Sequence, residues 1–172
     1  MKTIFTLLSA ALSLFAIDFS SIKTFQSNFT QHITNPSGKV LNYTGKLYVH
    51  GANNILWQYT TPIVKSVYIK RGFAIVDEPE LEQAIYTHID QEINLFMMIN
   101  EAKQITKNHY QTVKNSVEYN IFLKEDKIDS IKYSDTLEND VVIMFTKSVY
   151  NGSIDTGLFV FKAPDHYDII RK

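Results

Sequence analysis

The sequence predicts a mainly β (α+β) fold in which a curled antiparallel sheet forms an incomplete β-barrel, with a short helical lid over an apolar cavity. Apolar and polar residues alternate over much of the chain, and the apolar positions are rich in aromatic and β-branched side chains. Turn sequences separate these runs, and helical signals are few. The length of 172 residues, with 45% hydrophobic and 20% charged residues, is typical of one globular domain, which we place at residues 17–172.

The N-terminus has the pattern of a secretory signal peptide. Lys2 precedes an apolar run over residues 4–16, which is too short to span a bilayer comfortably. We predict a signal peptide at residues 1–16 with cleavage after Ala16, and Ala11 is an alternative cleavage position. A buried N-terminal helix is the structural alternative. The signal peptide implies export, and a chain without cysteine is compatible with an oxidising compartment such as the periplasm.

Two helical segments are predicted. The first covers residues 19–26. The second begins at Asp90 as N-cap, with Glu92 in the first turn, where a carboxylate interacts favourably with the helix dipole. Residues 93–99 are apolar except for Asn94, so this helix needs partners on more than one side. It is either an ordinary core helix or a cover packed over a sheet, and the pattern leaves both interpretations open.

The strands are predicted from runs with a period of two. Apolar residues that share one parity within a run are Leu47 and Val49; Ile55, Trp57 and Tyr59; Tyr119, Ile121 and Leu123; and Val141, Ile143 and Phe145. Turn sequences lie at residues 35–38, 51–54, 70–72, 125–126 and 151–152. This spacing predicts a meander of about nine to eleven short antiparallel strands.

A meander of this length twists and curls, so its concave face must be filled by a second sheet, by helices or by a ligand. The few short helices of this chain could cover that face but could hardly fill it. A half-closed barrel around an apolar hollow is therefore favoured over a fully packed sandwich, which remains the alternative.

Charge and cysteine content exclude several classes of protein. The 17 basic and 18 acidic residues give a net charge of −1, and only Arg71 and Arg171 are arginine. A nucleic-acid-binding protein normally has a basic excess, so we expect no nucleic-acid partner. The absence of cysteine excludes disulfides, thiolate metal sites, Cys nucleophiles and a lipidated N-terminal Cys.

The sequence offers little for catalysis. The five histidines are scattered without metal-ligand spacing, and no Gly-rich phosphate loop or Gly-x-Ser-x-Gly motif occurs. Carboxylates crowd at Asp77, Glu78, Glu80 and Glu82, but they surround Pro79 and are typical of a solvated strand connection rather than of a glycosidase acid pair. We therefore predict no catalytic, metal-binding or cofactor-binding residues and no enzyme activity.

Several segments resemble the LolA-type periplasmic outer-membrane lipoprotein carrier proteins. The segments are FQSNFTQ at 25–31, GKLYV at 45–49, LWQY at 56–59 followed by Pro62, EQA at 82–84, FVFKAP at 159–164 and DII at 168–170. Each segment alone is weakly specific, but their order and spacing together are specific. The resemblance covers nearly all of the mature chain.

The resemblance implies a monomeric periplasmic carrier that binds the acyl chains of lipoproteins and hydrolyses nothing. It implies delivery of lipoproteins to the outer membrane, with an ABC-type inner-membrane transporter as donor and an outer-membrane acceptor where one exists. The missing cysteine separates the chain from the acceptor of the same fold, which is lipidated on an N-terminal Cys. A lipid-binding sensor module and a small secreted hydrolase are the competing interpretations.

The resemblance and the strand parity together assign the functional residues. The expected cavity residues are Phe25, Phe29, Leu47, Val49, Ile55, Trp57, Tyr59 and Ile69. The expected lid residues are Ile89, Ile93, Phe96, Met97 and Ile99. Many relatives place an Arg latch after the Gly-x-Leu strand, whereas this chain has His50-Gly51-Ala52, so either the latch is missing or His50 forms a pH-sensitive version of it.

Overall fold

The structure is a computed structural model that describes residues 19–51, 53–70, 72–89 and 95–172, apart from the side chains at positions 20 and 95–97. The predicted signal peptide at 1–16, the Asp90 N-cap and Ile93 lie outside the described residues. Within the described ranges, no helix is both long and apolar enough to cross a membrane.

Most of the described chain is β-strand. The strands are β1 Thr24–Thr34, β2 Val40–His50, β3 Asn54–Thr61, β4 Lys65–Lys70, β5 Phe73–Glu78, β6 Gln83–His88, β7 Lys103–Thr106, β8 His109–Lys114, β9 Val117–Lys124, β10 Lys127–Ser134, β11 Asp140–Tyr150 and β12 Asp168–Arg171. The helices are α1 Leu95–Glu101 and the 3₁₀ turns Phe19–Ser21, Pro79–Leu81 and Thr156–Phe159. The mainly β fold is therefore confirmed.

These strands form one open sheet with the order β12-β6-β5-β4-β3-β2-β1-β11-β10-β9-β8-β7. Two meanders, β1 to β6 and β7 to β11, are joined because β1 pairs with β2 on one side and with β11 on the other. The single meander predicted above is wrong in this respect. The last strand differs too, since β12 pairs in parallel with β6 at the sheet edge.

The predicted helix at 19–26 is also wrong. Only the 3₁₀ turn Phe19–Ser21 forms there, and β1 begins at Thr24. Along β1 the buried positions include Phe25, Ser27 and Phe29, which is the period of a strand and not of a helix. Hydrogen bonding to neighbours on both sides outweighs the local helical preference. The second predicted helix does form, as α1, with Leu95 as its first described residue.

The inner face of the first meander carries rows of apolar side chains. Cross-strand partners lie on the same face of a sheet, and one row contains Val49, Ile55 and Ile69. The next row contains Leu47, Trp57 and Val67.

A close approach within the sheet requires glycine at position 45. The pairing of β2 with β3 is irregular between Thr44 and Gly45. A Cβ on Gly45 would lie 2.0 Å from the Gln58 carbonyl oxygen and 2.8 Å from Cε1 of Phe29. Only a residue without a side chain fits this position without moving the backbone of β3.

The outer face of the same strands is covered by the C-terminal segment. The 3₁₀ turn Thr156–Phe159 packs against β3, and the Phe161 ring lies 5.5 Å from the Tyr68 ring. Leu56, which shares this face with its partner Tyr68, is fully buried. The middle of β3 is thus buried on both faces, which gives the fold a second, smaller apolar core outside the sheet.

Candidate functional site

An apolar cavity of about 260 Å³ lies between the inner face of the sheet and α1. Both meanders and the helix contribute to its wall. The lining residues are Gln31, Leu47, Val49, Ile55, Trp57, Tyr59, Val67, Ile69, Met98, Tyr119, Ile131, Tyr133 and Ile143. The curl of the sheet brings these side chains together, since they come from β1–β4, β9–β11 and α1.

Six of the eight predicted cavity residues lie on this wall: Leu47, Val49, Ile55, Trp57, Tyr59 and Ile69. Phe25 and Phe29 do not. Both are buried in the hydrophobic core, where the Phe29 ring meets the edges of Trp57 and Tyr59 with ring centroids about 5 Å apart. Phe25 packs against the rings of Phe145 and Tyr150. Phe25 lies in the same cross-strand row as the wall residues Val49 and Ile55, and Phe29 contacts two wall residues, so both pack beside the cavity.

The sequence analysis missed the seven other lining residues, of which Gln31, Val67 and Met98 belong to β1, β4 and α1. Tyr119, Ile131, Tyr133 and Ile143 belong to the second meander. The period-two runs around Tyr119 and Ile143 predicted β9 and β11, but no such run was identified for β10, which carries Ile131 and Tyr133. The runs could not show that the pairing of β1 with β11 places these strands opposite β3.

Of the described side chains of α1, Met98 lines the cavity and is almost fully buried, whereas Ile99 is buried in the hydrophobic core and does not line it. Ile89 lies half-buried after β6, where its N–H donates to the Gly72 carbonyl oxygen at 2.7 Å. Phe96 and Met97 lie within α1. Their role in a lid, like that of Ile93, stays a prediction.

His50 packs on the outer side of the sheet. Its ring centroid lies 6.2 Å from that of Phe159, in the C-terminal 3₁₀ turn. Much of the predicted lid, to which it would latch, lies outside the described residues and side chains. The latch therefore stays a prediction.

The cavity wall has four polar side chains. Gln31 is 8% exposed, and its Oε1 accepts a hydrogen bond of 3.3 Å from the Tyr59 hydroxyl. Burial raises the pKa of Tyr59 and of Tyr133 to about 12 and also raises the pKa of Tyr119. All three phenols are therefore neutral at physiological pH.

The described lining contains no carboxylate, histidine, lysine or serine. Nor do the described residues contain a group of three or more His, Asp or Glu that could hold a metal ion. The crowded carboxylates at 77–82 lie elsewhere, with Asp77 on β5 next to the C-terminal segment. Such a wall can bind an apolar chain, and its few polar side chains can donate hydrogen bonds to an uncharged acceptor group of a ligand.

Comparison with known proteins agrees with this geometry. The family described as "Outer membrane lipoprotein carrier protein LolA" matches residues 20–120. The chain is 35% identical over 158 residues to the outer-membrane lipoprotein carrier protein of Campylobacter jejuni, and the aligned residues cover 92% of each chain. It is 29% identical over 155 residues to the protein of the same name from Wolinella succinogenes, with 90% of each chain covered.

The fold has solved counterparts. A LolA superfamily protein from Nitrosomonas europaea superposes with a TM-score of 0.54 at 13% sequence identity, covering 82% of this chain and 91% of the other. The family match extends over more than half of the chain, and the relatives are aligned along nearly all of it. The chain therefore belongs to the LolA family of outer membrane lipoprotein carrier proteins.

Proposed function

We propose that this protein is a periplasmic carrier that binds the acyl chains of lipoproteins in the apolar cavity and delivers them to the outer membrane. The observation that carries the proposal is the cavity under α1. Both meanders contribute to its wall, which is apolar except for a few uncharged polar side chains. Relatives named as lipoprotein carriers support the choice of cargo.

The physical basis for binding is the hydrophobic effect. Each buried CH₂ group contributes about 0.8 kcal/mol, so an acyl chain that is only partly sheltered is still held without a charged anchor. The cavity volume of about 260 Å³ lies at the lower edge of the range of about 300–1,000 Å³ that is usual for ligand pockets. Loading therefore requires the cavity to widen, and α1 is the element that can move without breaking strand pairing.

Release follows from the same helix. Met98 and Ile99 bury apolar surface against the sheet when the cavity is closed. A loaded cavity loses part of that burial, which offsets part of the free energy gained from the acyl chain. An acceptor or membrane that shelters the chain more fully then removes it.

The transport route is part of the proposal. Residues 1–16 would direct export and be removed, and the mature monomer would receive cargo from an ABC-type transporter of the inner membrane. Where an outer-membrane acceptor exists, the cargo would pass to it. Intact-mass measurement of periplasmic material should show the mature chain, whereas recovery of the full-length chain in the cytoplasm contradicts export.

The decisive experiment is lipoprotein release from spheroplasts by the purified mature chain. We expect the wild type to release a soluble complex with lipoprotein. Val67→Phe, which narrows the cavity, should reduce release, whereas the matched control Val113→Phe on an exposed strand position should not. Equal release by both variants, or none by the wild type, contradicts the proposal. A lipid sensor would bind acylated peptide without transferring it.

A fluorescence measurement provides an independent test. Trp57 is the only tryptophan and lines the cavity, so its emission reports on the hollow alone. Emission should shift or be quenched on addition of an acylated peptide but not of its unacylated twin. An equal response to both peptides contradicts acyl binding at this wall.

A further inference from the structure

The polar groups of the cavity are gathered toward one end of the sheet. Gln31 lies near the end of β1, Tyr59 near the end of β3 and Tyr133 near the end of β10, each just before the turn that follows. Tyr119 lies beside Tyr133 across the β9–β10 pairing, with ring centroids 4.8 Å apart. The helix α1 contacts the 3₁₀ turn that precedes β1 and also β8, where Glu101 pairs with Lys114. The other end of the cavity is lined by the apolar row Val49, Ile55 and Ile69, so the cavity has an apolar end and a polar end.

The polar end has hydrogen-bond donors to spare. The Tyr59 hydroxyl donates to Oε1 of Gln31, which occupies that oxygen. Among the hydrogen bonds of the described residues, none is made by the Gln31 amide nitrogen or by the hydroxyls of Tyr119 and Tyr133. Because burial raises the pKa values of Tyr119 and Tyr133, these phenols keep their protons at physiological pH.

A saturated hydrocarbon is a poor match for this end. It would displace water from the Gln31 amide and from the phenols without replacing the hydrogen bonds that water makes. An ester carbonyl oxygen accepts hydrogen bonds and donates none, so it matches a set of unused donors. It also carries no charge, and the described lining contains no cation that a carboxylate could pair with.

We propose, on the basis of the proposed function, that Gln31, Tyr119 and Tyr133 form a subsite for the ester carbonyl groups of the acylated glycerol on a lipoprotein, while the Tyr59 hydroxyl holds the Gln31 amide in place. The carbonyls bind at this polar end, and the acyl chain extends along Ile55 and Ile69 at the apolar end. The subsite orients the lipid and distinguishes ester-linked chains from plain hydrocarbon of the same length.

The test compares two lipopeptides that differ only in their linkage. The first carries an S-diacylglyceryl cysteine with two ester-linked palmitoyl chains, and the second carries the corresponding ether-linked chains, which have no carbonyl. Dissociation constants are measured from Trp57 emission. The wild type should bind the ester about two- to tenfold more tightly, which corresponds to one ordinary hydrogen bond.

Variants then locate the preference. The double variant Tyr119→Phe/Tyr133→Phe keeps both rings and removes both unused hydroxyls, so its affinity for the ester should fall to that for the ether, while its affinity for the ether stays close to that of wild type. The control is Tyr43→Phe, because the Tyr43 ring packs against Tyr59 but does not line the cavity. Melting curves check that each variant is folded, and Gln31→Leu provides a second, independent removal of donors.

The outcomes separate this inference from the proposed function. Binding of neither lipopeptide by the folded wild type overturns the carrier function itself. Equal affinity for ester and ether, or a preference that persists in the double variant, overturns the carbonyl subsite and leaves the carrier function standing. Competition by diacyl phosphatidylglycerol that requires the two hydroxyls supports the subsite and shows that membrane phospholipid is a second source of the ester.

Discussion

Ile55 and Leu56 are neighbours in β3, and they provide a matched test of the hollow. Their exposed fractions are 2% and 0%, so both are core residues by burial alone. Ile55 faces the cavity, whereas Leu56 faces the outer core that the C-terminal segment covers. Replacement by Ala removes the same number of carbon atoms at both positions. Any difference between the two variants therefore reports the environment of the side chain.

The structure predicts the order of the two effects. Large-to-small substitutions cost the transfer free energy of the lost atoms and a further contribution from the new void, together about 2–5 kcal/mol for Leu or Ile to Ala. Leu56→Ala opens a void among close-packed atoms, so we expect about 3–4 kcal/mol. Ile55 already borders a hollow of about 260 Å³ and has fewer packing partners to lose, so we expect about 2 kcal/mol.

Binding should follow the opposite order. An acyl chain loses contact with Ile55 in Ile55→Ala, and its affinity should fall severalfold, whereas Leu56→Ala should bind with nearly wild-type affinity while it remains folded. The assays are urea unfolding, which gives the free energy of unfolding, and titration of Trp57 emission with a palmitoylated peptide. The reasoning is refuted if Ile55→Ala lowers the free energy of unfolding as much as Leu56→Ala does and leaves the affinity for the peptide unchanged. Ile55 would then be an ordinary core residue.

Three further predictions concern stability. Gly45→Ala should prevent correct folding, because its Cβ collides with the carbonyl oxygen of Gln58 on the neighbouring strand. The control Gly38→Ala has free space for its Cβ and should lower the free energy of unfolding by only about 1 kcal/mol, because of its positive φ. Soluble yield and melting temperature check both variants, and a native melting temperature for Gly45→Ala contradicts the close approach. Tyr150→Phe should lower the free energy of unfolding, measured in urea, by about 1–2 kcal/mol, because the N–H of Ile128 loses the hydroxyl oxygen that accepts its hydrogen bond at 2.9 Å. An unchanged unfolding midpoint means that water replaces the hydroxyl as acceptor. Burial raises the pKa of Asp77, so ionisation of this carboxyl destabilises the folded state. Asp77→Asn should therefore be more stable than wild type at pH 7, and the difference should vanish below the ordinary pKa of 3.8. Equal melting temperatures of the variant and the wild type at pH 7 contradict this prediction.

The inner face of the first meander could be predicted from sequence, because each tight hairpin turn fixes which residues of the next strand lie on the same face of the sheet. Once Leu47 and Val49 are placed on one face, a tight turn fixes Ile55 and Trp57 on the same face, and the next turn does the same for Ile69. Local pattern is sufficient for such a chain of hairpins. This is why the predicted cavity residues from β2, β3 and β4 lie on the wall.

Non-local pairing is what the sequence could not show. The helix predicted at residues 19–26 overlaps the start of β1, and a strand forms there instead because β1 pairs with β2 and with the distant β11. The same pairing brings Tyr119 and Tyr133 to the cavity. β12 has four residues and pairs in parallel with an edge strand, so its short pattern carries no information about its partner.

The outer core gives a physical reason why the cavity can exist at all. A sheet that leaves its concave face unfilled gives up the packing contacts that stabilise most domains. Here the C-terminal segment buries Leu56 and Phe159 on the convex face, and the Phe161 ring packs at a tilt against Tyr68, so this segment stabilises the strands around the hollow from their outer side. Strand pairing and this outer core do not involve α1. The helix can therefore move away from the hollow and lose only its own contacts. One part of the chain stabilises the fold and another covers the cavity, and a carrier that loads and releases its cargo requires this division.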